Sequence, residues 1–394
     1  DAPTKRIVAM DVNQPGREHL TGIVPARKAT LDNASIIGGD ILGQYMVDVL
    51  SEVDVFNLAG KRISQINLPG KGTVAAITGD QSDMEAFFVY TSYNVPTAVY
   101  RYDVAADHTE EVRQPHVKFN PADFAVEQVF YSSKDGTRIP MVLAYKKRAG
   151  WTSIPAGPQP TLLYGYGGFS ISMVPAFRPE YIDWMEMGGL LAVANMRGGG
   201  EYGEAWHLAG KDLNKQNVFD DFIAAAEWLI REGRTSREKL AIMGGSNGGL
   251  LVGAVEVQRP DLFGACIPMV GVMDMLRFHE FTAGQFWRDE LGNIAKEDEF
   301  NSLLAYSPYH NIKKGTHYPP TLIMTADTDD RVVPMHSFKF AAKMQWAQAG
   351  DAPILLRIEY RAGHGAGTPV KKQIENATDR WAFLMKELRM QTAD

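Results

Sequence analysis

Three kinds of residue, spaced far apart in the chain, could together carry out acyl transfer: Ser246, an aspartate among Asp327, Asp329 and Asp330, and His364. A serine hydroxyl attacks a carbonyl only when a base takes its proton, an acid orients that base, and donors receive the negative oxygen that develops. Ser246 lies in Gly244-Gly245-Ser246-Asn247-Gly248, a G-x-S-x-G pattern between the apolar run Leu240 to Met243 and a helical pattern from Leu250 to Gln258 that ends at Arg259-Pro260. A serine at such a strand-to-helix elbow stands above the sheet edge, and glycines beside it let backbone pack on backbone. Imidazole titrates near neutrality, which suits His364, flanked by Gly363 and Gly365, to the base. Only one of the three aspartates is needed to hold the imidazole tautomer; the others could cap a turn or pair with Arg331, and spacing alone does not choose among them.

These residues need strands to present them. Apolar runs at 319–326 and 354–360 precede the aspartates and the histidine, as 240–243 precedes the serine. Ser, Asp, His, each just past a strand, is the chain order of the α/β-hydrolase triad. From about Phe119 the chain alternates strands with helices, the pattern of a doubly wound parallel sheet covered on both faces. Phe124 to Ser132 and Ile139 to Tyr145 read as an antiparallel hairpin at a sheet edge. Thr161 to Tyr164, Gly189 to Met196 and Gly264 to Val270 read as strands. Asp221 to Arg231 reads as a helix capped by Asn217, and helical periodicity also runs over 337–349 and 370–388.

The oxyanion should be met by the N–H of Asn247 and by a donor from the loop after an early strand. Gly165-Tyr166-Gly167-Gly168-Phe169 is that loop, and the Tyr166 phenol is its available donor. A competing motif, Gly198 to Gly203, matches G-x-G-x-x-G with Asp220 downstream, as a dinucleotide site would require. No helical pattern opens directly at Gly203, and Asp220 starts a helix where a second strand should end, so a nucleotide is not expected. No H-E-x-x-H or C-x-x-C is present; neither metal nor other cofactor is expected.

At 394 residues and 45% hydrophobic composition, two domains are expected. A net charge of -7 without a basic run argues against nucleic acid and anionic membrane surfaces as partners, and no apolar stretch approaches the roughly 20 residues of a span. The single cysteine, Cys266, is expected to be a buried small hydrophobe. The chain opens on Asp1, so a processed or cut polypeptide is expected, and the compartment of a soluble protein, cytoplasmic or periplasmic, is left open. In the first third, Met10-Asp11-Val12, Phe56-Asn57-Leu58 and Tyr102-Asp103-Val104 recur at a spacing of 46, each closing an alternating run. Propeller blades repeat at roughly 40 to 50 residues, so about two and a half blades fit, too few to close a ring. Residues 1–118 are therefore expected to be an incomplete all-β propeller and 119–394 an α/β-hydrolase domain.

Five motifs in order give a specific resemblance: 164–169, 197–203, 244–251, Asp329-Asp330-Arg331-Val332-Val333-Pro334, and Ala362-Gly363-His364-Gly365-Ala366-Gly367. From about Asn120 onward the chain resembles the catalytic domain of the prolyl oligopeptidase family of serine peptidases, also called prolyl endopeptidases, and earlier residues resemble the end of that family's propeller. Asparagine after the nucleophile favours this branch over oligopeptidase B, acylaminoacyl peptidase and dipeptidyl peptidase relatives. The resemblance implies a monomeric endopeptidase that cleaves short peptides on the carboxyl side of proline. It implies Ser246 as nucleophile, Asp329 as acid, His364 as base, and the Tyr166 hydroxyl with the Asn247 N–H as oxyanion hole. It further implies Trp287 stacking on the substrate proline, Phe169, Val272 and Val332 lining the pocket, and Arg331 binding a substrate carbonyl. The family usually carries a tyrosine where Leu291 falls, so one pocket wall loses a hydroxyl. The alternative is another acyl hydrolase of this fold, an acylaminoacyl peptidase or esterase.

Overall fold

The computed structural model describes residues 2–147, 157–365 and 367–391; Asp1, and Ala366 of the His364 loop, lie outside them. Two compact units form: one from Asp1–Glu127 with Val174–Ile182 and Gly200–Trp206, the other from Gln128–Met173, Asp183–Gly199 and His207–Asp394.

The first unit is antiparallel. Strands β1 (Ile7–Ala9) and β2 (Thr21–Val24) pair with each other. Strands β3 (Thr30–Ile37), β4 (Asp40–Val47), β5 (Leu50–Asn57) and β6 (Arg62–Gln65) form one four-stranded meander. Strands β7 (Thr73–Thr78), β8 (Glu85–Thr91), β9 (Ala98–Asp103) and β10 (His108–Arg113) form a second. The recurring sequence triplets have a structural cause: Asn57 and Asp103 end the third strand of each meander, and Met10 follows β1, which pairs with its successor β2 as a third strand pairs with a fourth. Alternation along β9, with Ala98, Tyr100 and Tyr102 buried and their neighbours half-buried, lets one face of the sheet meet the other meander. Ile37, Leu42, Val53 and Val55 of the first meander join Ile77, Phe88, Tyr90 and Tyr100 of the second in one cluster, where the Phe88 and Tyr100 rings stack with centroids 5.3 Å apart.

The second unit is built on an eight-stranded sheet. Its strands are β11 (Phe124–Ser132), β12 (Arg138–Lys146), β13 (Thr161–Tyr164), β14 (Leu190–Ala194), β15 (Leu240–Gly245), β16 (Ala265–Met269), β17 (Thr321–Ala326) and β18 (Ile354–Glu359). They lie in the order β11-β12-β14-β13-β15-β16-β17-β18. The hairpin occupies one edge, β12 runs antiparallel to β14, and the six strands from β14 to β18 are mutually parallel. Every residue of β13, β14 and β17 is buried, which is why these runs are continuous and not alternating in the sequence. Cys266, in β16, is buried and unpaired.

Two helix boundaries differ from expectation. The helix expected over 221–231 runs Gln216–Arg231, five residues earlier than expected, with Val218, Phe219, Phe222, Ala225, Ala226 and Leu229 forming its buried face. Asn217 is therefore inside the first turn and caps nothing; its side-chain amide donates to Ala209 O, and Lys215 occupies the cap position. Burial of Val218 and Phe219 carries the helix back to Gln216. A five-residue helix, Glu204–Leu208, does open right after Gly203, contrary to expectation. Asp220 nonetheless lies within the helix Gln216–Arg231. The backbone of Gly198 packs on the oxyanion-loop candidate, since a Cβ there would fall 2.7 Å from Gly167 O. Among the described residues no helix is long and apolar enough to cross a membrane, and no cluster of three or more His, Cys, Asp or Glu could hold a metal.

Candidate active site

Carboxyl ends of parallel strands converge at one rim of an α/β sheet, and all four expected chemical elements sit there: the Tyr166 loop after β13, Ser246 after β15, the aspartates after β17 and His364 after β18. Ser246 adopts φ 60° and ψ -118°, a conformation that disfavours a side chain and marks stored strain. It is held from both directions. Its N–H donates to Met269 O at 2.9 Å, continuing the β15–β16 ladder, while its own carbonyl accepts the first bonds of the helix Asn247–Gln258. The elbow fits only with glycine beside it. A Cβ on Gly244 would lie 2.4 Å from Gly248 O, and one on Gly248 would lie 2.6 Å from Gly165 O.

The structure separates the three aspartates that spacing could not. Asp329 is buried, and its Oδ2 lies 2.6 Å from His364 Nδ1. Its Oδ1 accepts N–H bonds from Arg331 (3.0 Å) and Val332 (2.9 Å), so the carboxylate is fixed at both oxygens. Asp327 has a different task. It accepts from Ala362 N, and with Asp327 N donating to Glu359 O and Thr328 N to Ala362 O it staples the two loops that carry Asp329 and His364. Backbone N–H donors, Arg361 first, hold the Asp327 carboxyl below the usual range. Asp330 is exposed. Among the described residues no hydrogen bond joins His364 to Ser246; such bonds commonly tighten only around a substrate.

Tyr166 is half-buried, and burial pushes its phenol above the usual range, opposed by the Ser246 side chain and by the nearby Arg331 charge. The phenol therefore stays protonated and can donate. Asn247, next to Ser246, is buried; its Nδ2 donates to Tyr166 O at 2.6 Å, linking the elbow to the loop. Of the expected pocket residues, Val272 and Val332 are buried, Phe169 and Trp287 are half-buried, and Arg331 is exposed. Trp287 ends the 3-10 turn Thr282–Trp287, and Phe169 takes a left-handed φ of 57°. Leu291 is buried and its carbonyl accepts from the Tyr306 hydroxyl.

Sequence reasoning missed two residues that hold the loop. Lys215 is fully buried, and its Nζ donates to Gly167 O (2.8 Å) and Asn247 Oδ1 (3.3 Å). Glu290 accepts from Phe169 N (2.7 Å) and pairs with His207 Nε2 (2.7 Å). Burial lowers the Lys215 ammonium to about 8, with Glu290 opposing. The available signal was a lysine at the start of a helix, where the positive end of the dipole disfavours it.

With this geometry in view, comparison with known proteins is informative. A model described as the prolyl oligopeptidase family matches residues 175–391, and one described as the prolyl oligopeptidase N-terminal beta-propeller domain matches 1–115. The prolyl endopeptidase of Elizabethkingia meningoseptica is 44% identical over 98% of this chain and 54% of its own length. That of Dictyostelium discoideum is 40% identical over 99% of this chain and 53% of its own. A solved prolyl endopeptidase superposes with a TM-score of 0.93 at 45% identity, covering 99% of this chain and 57% of that one. Prolyl oligopeptidase B from Galerina marginata, bound to a 35mer hydrolysis and macrocyclization substrate, gives a TM-score of 0.91 at 35% identity, covering 100% of this chain and 56% of that one. The chain thus spans about half the length of the curated relatives it matches.

Proposed function

Because the chain belongs to the prolyl oligopeptidase family, we propose that it supports hydrolysis of short peptides on the carboxyl side of proline through a serine acyl-enzyme. Residues 119–394 carry the chemistry in this reading, and 1–118 are propeller blades. The observation that carries it is the 2.6 Å contact of His364 Nδ1 with the buried Asp329 carboxylate. An imidazole that donates Nδ1–H to a fixed acceptor keeps the Nε2 lone pair for a serine proton.

Ser246 Oγ attacks the prolyl carbonyl as His364 takes its proton. The oxyanion is met by the Tyr166 hydroxyl and the Asn247 N–H. His364 returns the proton to the leaving amine, and water attacks the acyl-enzyme by the reverse roles. Trp287 offers an aromatic face to the rigid proline ring, with Phe169, Val272 and Val332 as apolar walls and Arg331 as donor to a substrate carbonyl. Leu291 contributes no hydroxyl to that wall. The activity is tested by labelling this chain and Ser246→Ala with a fluorophosphonate probe, followed by peptide mapping. Labelling at Ser246, blocked by a prolyl aldehyde, is expected; labelling that alanine and proline aldehydes block equally would point to a general acyl hydrolase.

A further inference from the structure

We propose that Lys215 is a positioning residue of the oxyanion site, one whose ammonium group ties the Gly167 carbonyl to the Asn247 side chain and so fixes the spacing of the two oxyanion donors. The inference rests on the reading of Ser246 as nucleophile. Its geometry is a closed circuit. Lys215 Nζ donates to Gly167 O and to Asn247 Oδ1, Asn247 Nδ2 donates to Tyr166 O, and Tyr166 and Gly167 are adjacent in the loop. One donor of the oxyanion site belongs to Tyr166 and the other to Asn247, so the circuit joins the two residues whose separation decides whether both reach one oxygen.

Two further facts argue that this lysine has more to do than fill space. It occupies the cap position of the helix Gln216–Arg231, where a cation faces the positive end of the helix dipole, and it is fully buried. Such a placement is unfavourable unless the groups around it need it. The loop is also held at its far end by Glu290, which accepts from Phe169 N and sits three residues beyond Trp287. Packing leaves no slack between these ties, since a Cβ on Gly168 would fall 2.6 Å from Asn247 Nδ2 and 3.0 Å from Lys215 Nζ.

Lys215→Met keeps the bulk of the side chain and removes its donors. The expected result is a kcat for a proline-containing peptide amide lowered by about 10- to 100-fold with KM changed by less than about threefold, the mark of an interaction felt in the transition state. Inhibition by a prolyl aldehyde, whose adduct carries the oxyanion, should weaken by the same factor as kcat/KM. Asn247→Leu retains the backbone donor but breaks the circuit at its other member; it should reproduce the loss, and the double variant should be no worse than either single one. It also carries the test should Lys215→Met fail to fold. Variants with kcat within about twofold of the parent, a loss confined to KM, a lowered melting temperature with unchanged kcat, or additive losses would each overturn the proposal. An unmodified chain that neither labels nor turns over proline amides would overturn the functional reading and this inference with it; an active parent with active variants overturns this inference alone.

Discussion

The two halves of the candidate site are held by opposite means. The acid–base half, after β17 and β18, lies on loops stapled by backbone bonds between Asp327 and Glu359 and between Thr328 and Ala362, with one buried carboxylate accepting two N–H groups. The proposed oxyanion half, after β13 and β15, relies on buried side chains: Lys215, Asn247 and Glu290 reach the backbone of residues 166–169. The difference follows from strand geometry. β17 and β18 are neighbours in register, Ala326 beside Glu359, so their loops leave the sheet together and can pair. β13 and β15 are also neighbours, yet the chain after β15 turns at once into a helix, and side chains must bridge what backbone cannot.

Substitutions can break or sharpen this contrast. Ser246→Ala removes the atom both halves serve and should lower kcat by about 10⁴- to 10⁶-fold, read from single-turnover kinetics. Asp329→Asn should cost about 10³- to 10⁴-fold in kcat through the wrong imidazole tautomer, whereas Asp327→Asn, which loosens only the staple, should cost about tenfold or less. Equal losses would erase the distinction drawn between those aspartates. Tyr166→Phe should lower kcat by about 10²-fold with little change in KM, measured on a proline amide. Trp287→Ala should reduce the preference for proline over alanine by about tenfold while leaving fluorophosphonate labelling of Ser246 intact.

The smallest effect on activity is expected at Glu256, buried in the helix Asn247–Gln258 away from both halves, where it bonds to Thr321. Burial raises its carboxyl to about 8. A folded-state value above the unfolded one contributes stability that is complete below about 4.5 and lost as pH rises toward 8. Glu256→Gln, which mimics the protonated form, should flatten that loss: melting temperatures at pH 5 and pH 8 should converge, with the variant about 1 to 3 kcal/mol more stable than the parent at pH 8. Activity at pH 7 should stay within about twofold.

Much of this is legible in the sequence alone. The elbow at Ser246, the parallel strands, the edge hairpin and the repeat of 46 were read from local patterns, and each is imposed locally: glycine where backbones touch, unbroken apolar runs where both sheet faces are covered, alternation where one is. The start of the helix at Gln216 was not, because Lys215 and Gln216 carry no capping signal and tertiary packing of Val218 and Phe219 extends the helix.

The sequence by itself determined which residue types stand at which strand ends, and hence the order of the candidate residues, because hydrophobic period and backbone sterics act over a few residues. Spacing alone left open which of three clustered aspartates meets His364, and only the tertiary structure shows that contact and the lysine that donates to the carbonyl of Gly167. Those choices turn on differences of a few ångströms between loops brought together from residues 35 to 48 positions apart, a distance along the chain over which no local preference reaches.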